Sequence, residues 1–416
     1  MLAELSMRGD RPCGTEHPDA TVAAERLRLH QLYATYVEEP SGALNGDVEE
    51  FLEEACRLDA AIQVFGENNV ILKRTDGRKL WAKREEQAPL SAELEDCVIL
   101  GGQMDTALRT DPRLATERLA DKYMFSKTFT QNSGRKTYLT TFDDYHDDEP
   151  KAARSAFKAL YGSGVRRMVA KAVVAKQGFR VVDLTHTRDE AEGWQTFVSE
   201  TFEGFTHSHG DESILLQEWV EMEYEYRIFV VGHELVTGAG SVVEHTPLDN
   251  NGLAFNTTLR RHRIDYDPCA DPALEEQPEV VTRYREFGER MANAFRAERP
   301  NMPHYVLDVA TVNGETVIVE LNGLRNSGLF ATDHVAVVKA LRRFEEEQPY
   351  RPQPAVKADS KQCTVCGGSN TDVSFPLATA ARPGAPVILL KGTGPNAFMN
   401  CLDCESVAKV IDPLHD

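Results

Sequence analysis

The chain has 416 residues, a formal net charge of −20 and 41% apolar side chains, enough for more than one core. The negative balance argues against a surface that coats a nucleic-acid backbone, and no apolar run reaches membrane-spanning length. The opening stretch MLAELSMRGDRPCGTEHPD lacks the basic, apolar and small-residue succession of an export signal, so a soluble, cytoplasmic protein without a membrane partner is expected.

Residues 1–19 are polar, with Pro and Gly, and read as disordered. DVEEFLEEACRLDAAIQVF then sets Val48, Phe51, Leu52 and Cys56 on one helical face. NVILKR and RKLWAKR flank Thr75-Asp76-Gly77 as a hairpin, and DCVILGG (96–102) reads as a buried strand. Residues 113–129 have helical periodicity, as do 149–164, the latter closed by Gly162 and Gly164. From there the chain turns to strands. RRMVAKAVVAKQGFRVVDL (166–184) is two strands about Gln177-Gly178, and SILLQEWVEM (213–222) is another. Residues 225–245 form a hairpin over Gly232-His233, 278–298 a long helix, and 304–322 a hairpin over Asn313-Gly314.

The last hairpin carries Asp308 in one strand and Glu320 and Asn322 in the other. Residues i and i+2 of a strand share a face. With a two-residue turn and no bulge, Asp308 would oppose Val319. A three-residue loop or one bulge puts it opposite Glu320, and the three oxygen-bearing side chains then converge. Two carboxylates that close call for a cation, and a few oxygen donors with open positions suit Mg²⁺. Read as a plain surface, the same residues are an ordinary solvated hairpin face.

In this order the elements resemble the ATP-grasp superfamily, the ATP-dependent ligases typified by D-alanine–D-alanine ligase and the ribosomal-protein glutamate ligases, over residues 120–335. The resemblance implies an α+β fold. Two α+β subdomains (121–345) clasp ATP, after an N-terminal α/β region (1–120) and before a Pro-rich linker (346–360) and a zinc-ribbon-like module (361–416). DKYMFSK would supply a phosphate-binding Lys122, or Lys127, and MVAKAVV would supply Lys171. LLQEWVE would clasp adenine through Glu218, Trp219 and Val220, with Glu223 or Glu225 on the ribose. RIFVVG gives Arg227, and Asp308, Glu320 and Asn322 would hold Mg²⁺. The family's glycine-rich phosphate loop is reduced here to AKQGF, with Gly178 alone and Lys176 as a compensating charge.

The chemistry so implied is activation of a small-molecule or peptidyl carboxylate by ATP, then attack by an amine. Arg227 and the run LRRHR, chiefly Arg261 and Arg263, would meet the carboxylate and the developing phosphate charge. Asn256 precedes that run as polar residues do in similar substrate loops, and a solvated loop is its bland reading. His207 and His209 form a His-x-His pair without a third ligand nearby and read as exposed histidines. A phosphotransferase with a hydroxyl acceptor, and a non-catalytic nucleotide-binding adaptor, are the competing functions.

The tail holds two Cys-x-x-Cys knuckles, Cys363 with Cys366 and Cys401 with Cys404. Paired knuckles in a reducing compartment are the ligand set of a structural Zn²⁺. Positive and negative side chains nearly balance there, which favours a protein-docking or substrate-presenting module over a nucleic-acid clamp.

Overall fold

The computed structural model describes residues 24–29, 31–32, 48–67, 70–74, 98–99, 126–141, 151–172, 179–204, 213–262, 273–300, 302–324, 327–347, 356–357, 371–373, 387–391, 398–401 and 407–411. Lys122, Lys176, His207, His209, Arg263, Cys363, Cys366 and Cys404 lie outside them, as do the expected disordered N-terminus and the second arm of the Thr75-Asp76-Gly77 hairpin. In chain order come α1 (Val48–Phe65), β1 (Val70–Arg74), β2 (Val98–Ile99), α2 (Lys127–Asn132), β3 (Thr137–Thr141) and α3 (Lys151–Gly162). They are followed by β4 (Arg167–Ala172), β5 (Phe179–Asp183), α4 (Glu190–Gly204), β6 (Ser213–Glu218), β7 (Glu223–Val231) and β8 (Glu234–Gly240). Next are β9 (Thr258–Arg260), β10 (Leu274–Glu276), α5 (Pro278–Glu298), β11 (Tyr305–Val312), β12 (Glu315–Asn322) and α6 (His334–Glu347). The tail contributes β13 (Val356–Lys357), β14 (Thr371–Val373), β15 (Val387–Lys391), β16 (Phe398–Cys401) and β17 (Val407–Ile411).

Two antiparallel four-stranded sheets organise the middle of the chain, one ordered β3-β6-β4-β5 and the other β12-β11-β7-β8. Period-two alternation gives each strand two faces. On the first sheet Met168, Ala170, Val182, Ile214 and Leu216 pack against Phe157 and Leu160 of α3 and Phe197 of α4. Their neighbours Lys171 and Leu215 therefore point the other way, and Leu215 joins the core of the second sheet. The second sheet is buried on both faces. Ile228, Val230, Leu307 and Val309 meet Val281, Tyr284, Phe287 and Phe295 of α5. Phe229, Val231 and Val306 meet Val337 and Leu341 of α6 and Ala55 and Leu58 of α1. Each such large side chain withdrawn from water contributes about 1.5–3 kcal/mol before the entropy of ordering is subtracted.

The hairpin over Asn313-Gly314 is the element that positions the polar groups. Both turn residues have positive φ, 52° and 84°, the two-residue turn that matches strand twist. Val312 pairs with Glu315 and Val309 with Ile318, but Asp308 pairs with Glu320. Val319 is thus the extra residue of a β-bulge, and the bulge places the two acids opposite one another. Arg135, just before β3, donates from Nη2 to the Val319 carbonyl at 2.6 Å. Gly134 permits that approach. A Cβ there would lie 2.4 Å from Val317, and its φ is +64°.

Three sequence expectations change. The helical run 113–129 does not continue through Ser126. That residue is extended, and its side chain accepts from the Phe129 N–H as the N-cap of α2. The carboxylate of Glu298, at the end of α5, takes the Lys127 and Thr128 N–H groups at 2.8 and 3.0 Å. The tail is not separate in its strand pairing. β15 lies parallel between β1 and β2, because VILLK is an apolar strand that a small sheet of its own could not bury on both faces. The other tail strands form a sheet ordered β13-β17-β16-β14. The helix Pro278–Glu298 and the hairpin over Gly232-His233 stand where the sequence puts them.

Arg135→Ala removes a charge-assisted hydrogen bond from the bulge. It should lower unfolding free energy by about 1–3 kcal/mol in denaturant titration, and amide exchange should quicken at Val309 and Glu320.

Candidate active site

Arg227 and Asp308 are directly paired residues of β7 and β11, on the sheet face that also carries Phe229 and Val306. Asp308 has no exposed surface and Arg227 very little. Arg227 donates from Nε to Asp308 Oδ1 at 2.8 Å and from Nη2 to Oδ2 at 2.7 Å, a two-point fork. Across the bulge, Asn322 Nδ2 donates to Asp308 Oδ2 and to Glu320 Oε1, each at 2.9 Å. Glu320 Oε2 accepts from Lys171 Nζ. Lys171 belongs to β4 of the first sheet and Glu320 to β12 of the second, so this partly buried ion pair spans the two sheets. One continuous polar chain therefore runs Arg227, Asp308, Asn322, Glu320, Lys171.

The structure brings these five expected site residues together. It gives Arg227 a different present partner from the expected one. Its guanidinium is engaged by Asp308 and, through Nη1, by the Gly328 carbonyl at 3.1 Å. The ring of Phe330 lies 4.9 Å from it.

Around this core the other expected residues scatter. Glu218 closes β6, and its Oε2 sits 3.4 Å from the Lys136 N–H. Trp219 is covered on one face by the Arg167 guanidinium, 3.6 Å from the ring centroid. Val220 and Glu225 are half-buried. Glu223, expected on a ribose, and Arg261, expected on substrate, form an ion pair with each other at 2.6 Å. In the basic run the strand alternation of β9 turns Arg260 inward, onto Glu244 at 3.0 and 3.2 Å, and leaves Arg261 exposed. Asn256 is buried, and its Oδ1 accepts from the Thr258 N–H at 2.8 Å, a local turn contact. Lys127 is exposed at the first turn of α2. Among the described residues no group of three His, Cys, Asp or Glu side chains forms a metal cluster; the converging set is two acids and an amide.

Sequence reasoning missed two residues of α1. Glu53 Oε1 accepts the Leu329 and Phe330 N–H groups at 2.5 and 3.2 Å. Arg57 Nη2 donates to the Ser327 carbonyl at 2.5 Å. Burial raises the Glu53 carboxyl above its ordinary range, and Arg57 and Arg227 oppose the rise. The helix pattern gave no separate signal for either residue, because a charged residue on a helix is commonly solvated.

Asp308→Ala leaves the buried Arg227 without its partner and should cost about 3–5 kcal/mol of stability. Glu320→Ala breaks a more exposed pair and should cost about 1 kcal/mol or less. Thermal or denaturant unfolding of the two variants checks the contrast.

Residues 143–341 match a family model described as an ATP-grasp domain, family 3 of its clade. No curated protein matches the sequence. The chain is similar to solved structures that include Cdc123 from Schizosaccharomyces pombe, at 14% identity over 50% of this chain and 86% of that one, with a TM-score of 0.25. It is also similar to D-alanyl-alanine synthetase A from Vibrio cholerae O1 biovar eltor, at 12% identity over 55% and 64% of the two chains, with a TM-score of 0.33. D-alanine–D-alanine ligase from Bacillus anthracis complexed with ATP matches at 10% identity over 59% and 68%, with a TM-score of 0.31. The family match places the two-subdomain α+β segment 143–341 in the ATP-grasp superfamily.

Proposed function

We propose that the protein is an ATP- and Mg²⁺-dependent ligase that joins a carboxylate to an amine through an acyl phosphate. The observation that carries the reading is the meeting of Lys171, from one sheet, with Glu320, Asn322 and Asp308 on the other. A nucleotide held between two such sheets would face a cation on one side and hard oxygen donors on the other. The donor set fits Mg²⁺: two carboxylates already share one donor, the Asn322 amino group, which stands where a small cation would satisfy both. Rotation of that amide would present Oδ1 in its place. Glu320, Asn322 and Asp308 would hold the metal, which when bound supplies charge neutralisation on the phosphates.

The chain's own residues account for the rest. Lys171 leaves Glu320 for phosphate oxygens, exchanging one anionic partner for another. Glu218, Trp219 and Val220 line the hinge, with Glu223 or Glu225 beside the ribose. Lys122, Lys127 and Lys176 are the remaining candidate phosphate ligands. A substrate carboxylate oxygen attacks the γ-phosphorus, the bond to the ADP oxygen breaks, and ADP leaves. The amine then attacks the acyl carbon and gives up a proton, and phosphate leaves. Arg261 and Arg263 are the basic groups nearest in sequence to where the acyl phosphate's charge would need support.

Hydroxylamine intercepts an acyl phosphate as a hydroxamate but does not do so with a phosphorylated alcohol. In a screen of pooled acids and amines, wild type should release ADP and form hydroxamate, and Glu320→Ala should lose both by about a hundredfold or more. Phosphorylated hydroxyl product without hydroxamate would instead identify a phosphotransferase. The burial of Asp308 beneath Arg227 is what favours a nucleotide-binding adaptor, and ATP binding without ADP release under every substrate pool would support that reading.

The tail reading extends to Zn²⁺ on Cys363, Cys366, Cys401 and Cys404. What supports it beyond spacing is register: Thr371, at the start of β14, pairs with Cys401, at the end of β16. The chain arriving from the first knuckle and the chain entering the second are thereby at the same end of one ladder. Elemental analysis of reduced protein should give one zinc per chain, and Cys404→Ser should lose it. Because β15 also pairs with β1 and β2, chelation should raise protease sensitivity in residues 70–99 as well as in the tail. Sensitivity confined to 361–416 would show that the β15 pairing does not transmit the loss.

A further inference from the structure

We propose that Glu53 and Arg57 of α1 are positioning residues for the candidate site: they fix the loop 327–330, and that loop aims Arg227 at Asp308. The proposal rests on the nucleotide-site reading above and deepens it, because α1 lies outside the matched segment 143–341.

The loop follows Asn322 almost directly and is held at successive backbone groups from two sides. Arg57 takes the Ser327 carbonyl, Arg227 takes the Gly328 carbonyl, and Glu53 takes the Leu329 and Phe330 N–H groups. Gly328 is the point where the two sides meet. A Cβ there would lie 3.3 Å from Arg227 Nη1 and 3.4 Å from Glu53 Oε1, so a side chain would wedge them apart. Phe330 has φ 48°, a left-handed conformation that a bulky residue keeps only when its surroundings hold it. Glu53 holds its N–H, and the Arg227 guanidinium lies over its ring.

A helix serving only as packing would turn its polar groups to water or to its own turns. α1 already has an apolar contact with α6 and the sheet through Ala55, Leu58 and Ala61, which anchors it without Glu53. The carboxylate binds the loop instead, and its charge is opposed by Arg57 and by Arg227 itself. Arg227 is thus shared: two donors on Asp308, a third on a carbonyl whose place α1 sets. Loosening the loop frees that third donor to pull the guanidinium off the geometry that orients Asp308.

The test uses the full chain, with Glu53→Ala, Glu53→Gln and Gly328→Ala. The last leaves both charges in place and disturbs only the spacing. Three readings are taken: melting temperature, displacement of a fluorescent nucleotide by ATP with and without Mg²⁺, and turnover. The expected result is a loss of about tenfold or more in the Mg²⁺-dependent part of ATP affinity for Glu53→Ala and Gly328→Ala. Mg²⁺-free affinity should stay unchanged, and Glu53→Gln, which keeps an acceptor oxygen, should recover most of the loss. A change in melting temperature alone, with Mg²⁺-dependent affinity as in wild type for both Glu53→Ala and Gly328→Ala, would reduce α1 to packing and overturn the proposal. If Glu53→Ala does not fold, Gly328→Ala decides it by the same affinity reading. Failure of the ligase reading shows separately, as wild type that binds Mg·ATP without turnover, and the binding comparison still stands.

Discussion

A guanidinium and a carboxylate buried together in a sheet are the constraint around which this molecule is arranged. Taking Arg227 and Asp308 out of water costs several kcal/mol for each charge, and their attraction offsets that cost only if the fork is well aligned and the remaining hydrogen-bonding positions are filled. The alignment comes from direct strand pairing of β7 with β11. The remaining positions are filled by Asn322 on the carboxylate and by the Gly328 carbonyl on the guanidinium. Each filler is then fixed in turn, Asn322 by Glu320 and Gly328 by the loop that Glu53 and Arg57 hold. Satisfying one buried pair therefore orders polar groups from α1 to the far edge of the second sheet.

The bulge at Val319 makes this possible. Without it a two-residue turn would set Asp308 against Val319 and send Glu320 to the α5 face, where it would meet apolar side chains. With it, both acids and the amide share one side, and the ladder carbonyl it displaces finds Arg135. The same geometry brings Glu320 within reach of Lys171 on the other sheet. Opposite charge on two sheets that otherwise meet through few residues, Leu215 among them, is an arrangement suited to opening around a polyanion and closing on it.

Much of this was legible in the sequence, and for definite reasons. The alternation in HYVLDVATVNGETVIVELN, with Asn-Gly at the turn, specifies a hairpin, and the condition for the acids to meet could be stated as one bulge. MVAKAVV placed Lys171 in a strand whose neighbours face a helix core, and its own direction followed. The long helix from Pro278 was written in its period and its proline start. Other features were not legible. No local pattern distinguishes Glu53 and Arg57 from solvated helix residues, since what buries them is a loop far along the chain. Glu223 and Arg261 looked like separate ligands because nothing in sequence announces a mutual ion pair. Arg260 was hidden by its neighbours in a basic run, where only strand direction decides which arginine turns inward. The placement of β15 between β1 and β2 is a long-range pairing that no local propensity encodes.

The central claim is that Asp308, Glu320 and Asn322 accept a divalent ion together with ATP. Manganese can replace magnesium in an oxygen site and is read directly by electron paramagnetic resonance. In a titration of Mn²⁺ with ATP held saturating, the account predicts protein-bound Mn²⁺ in wild type and its loss in Glu320→Ala, at unchanged fold by circular dichroism. Equal Mn²⁺ binding by wild type and Glu320→Ala would contradict it.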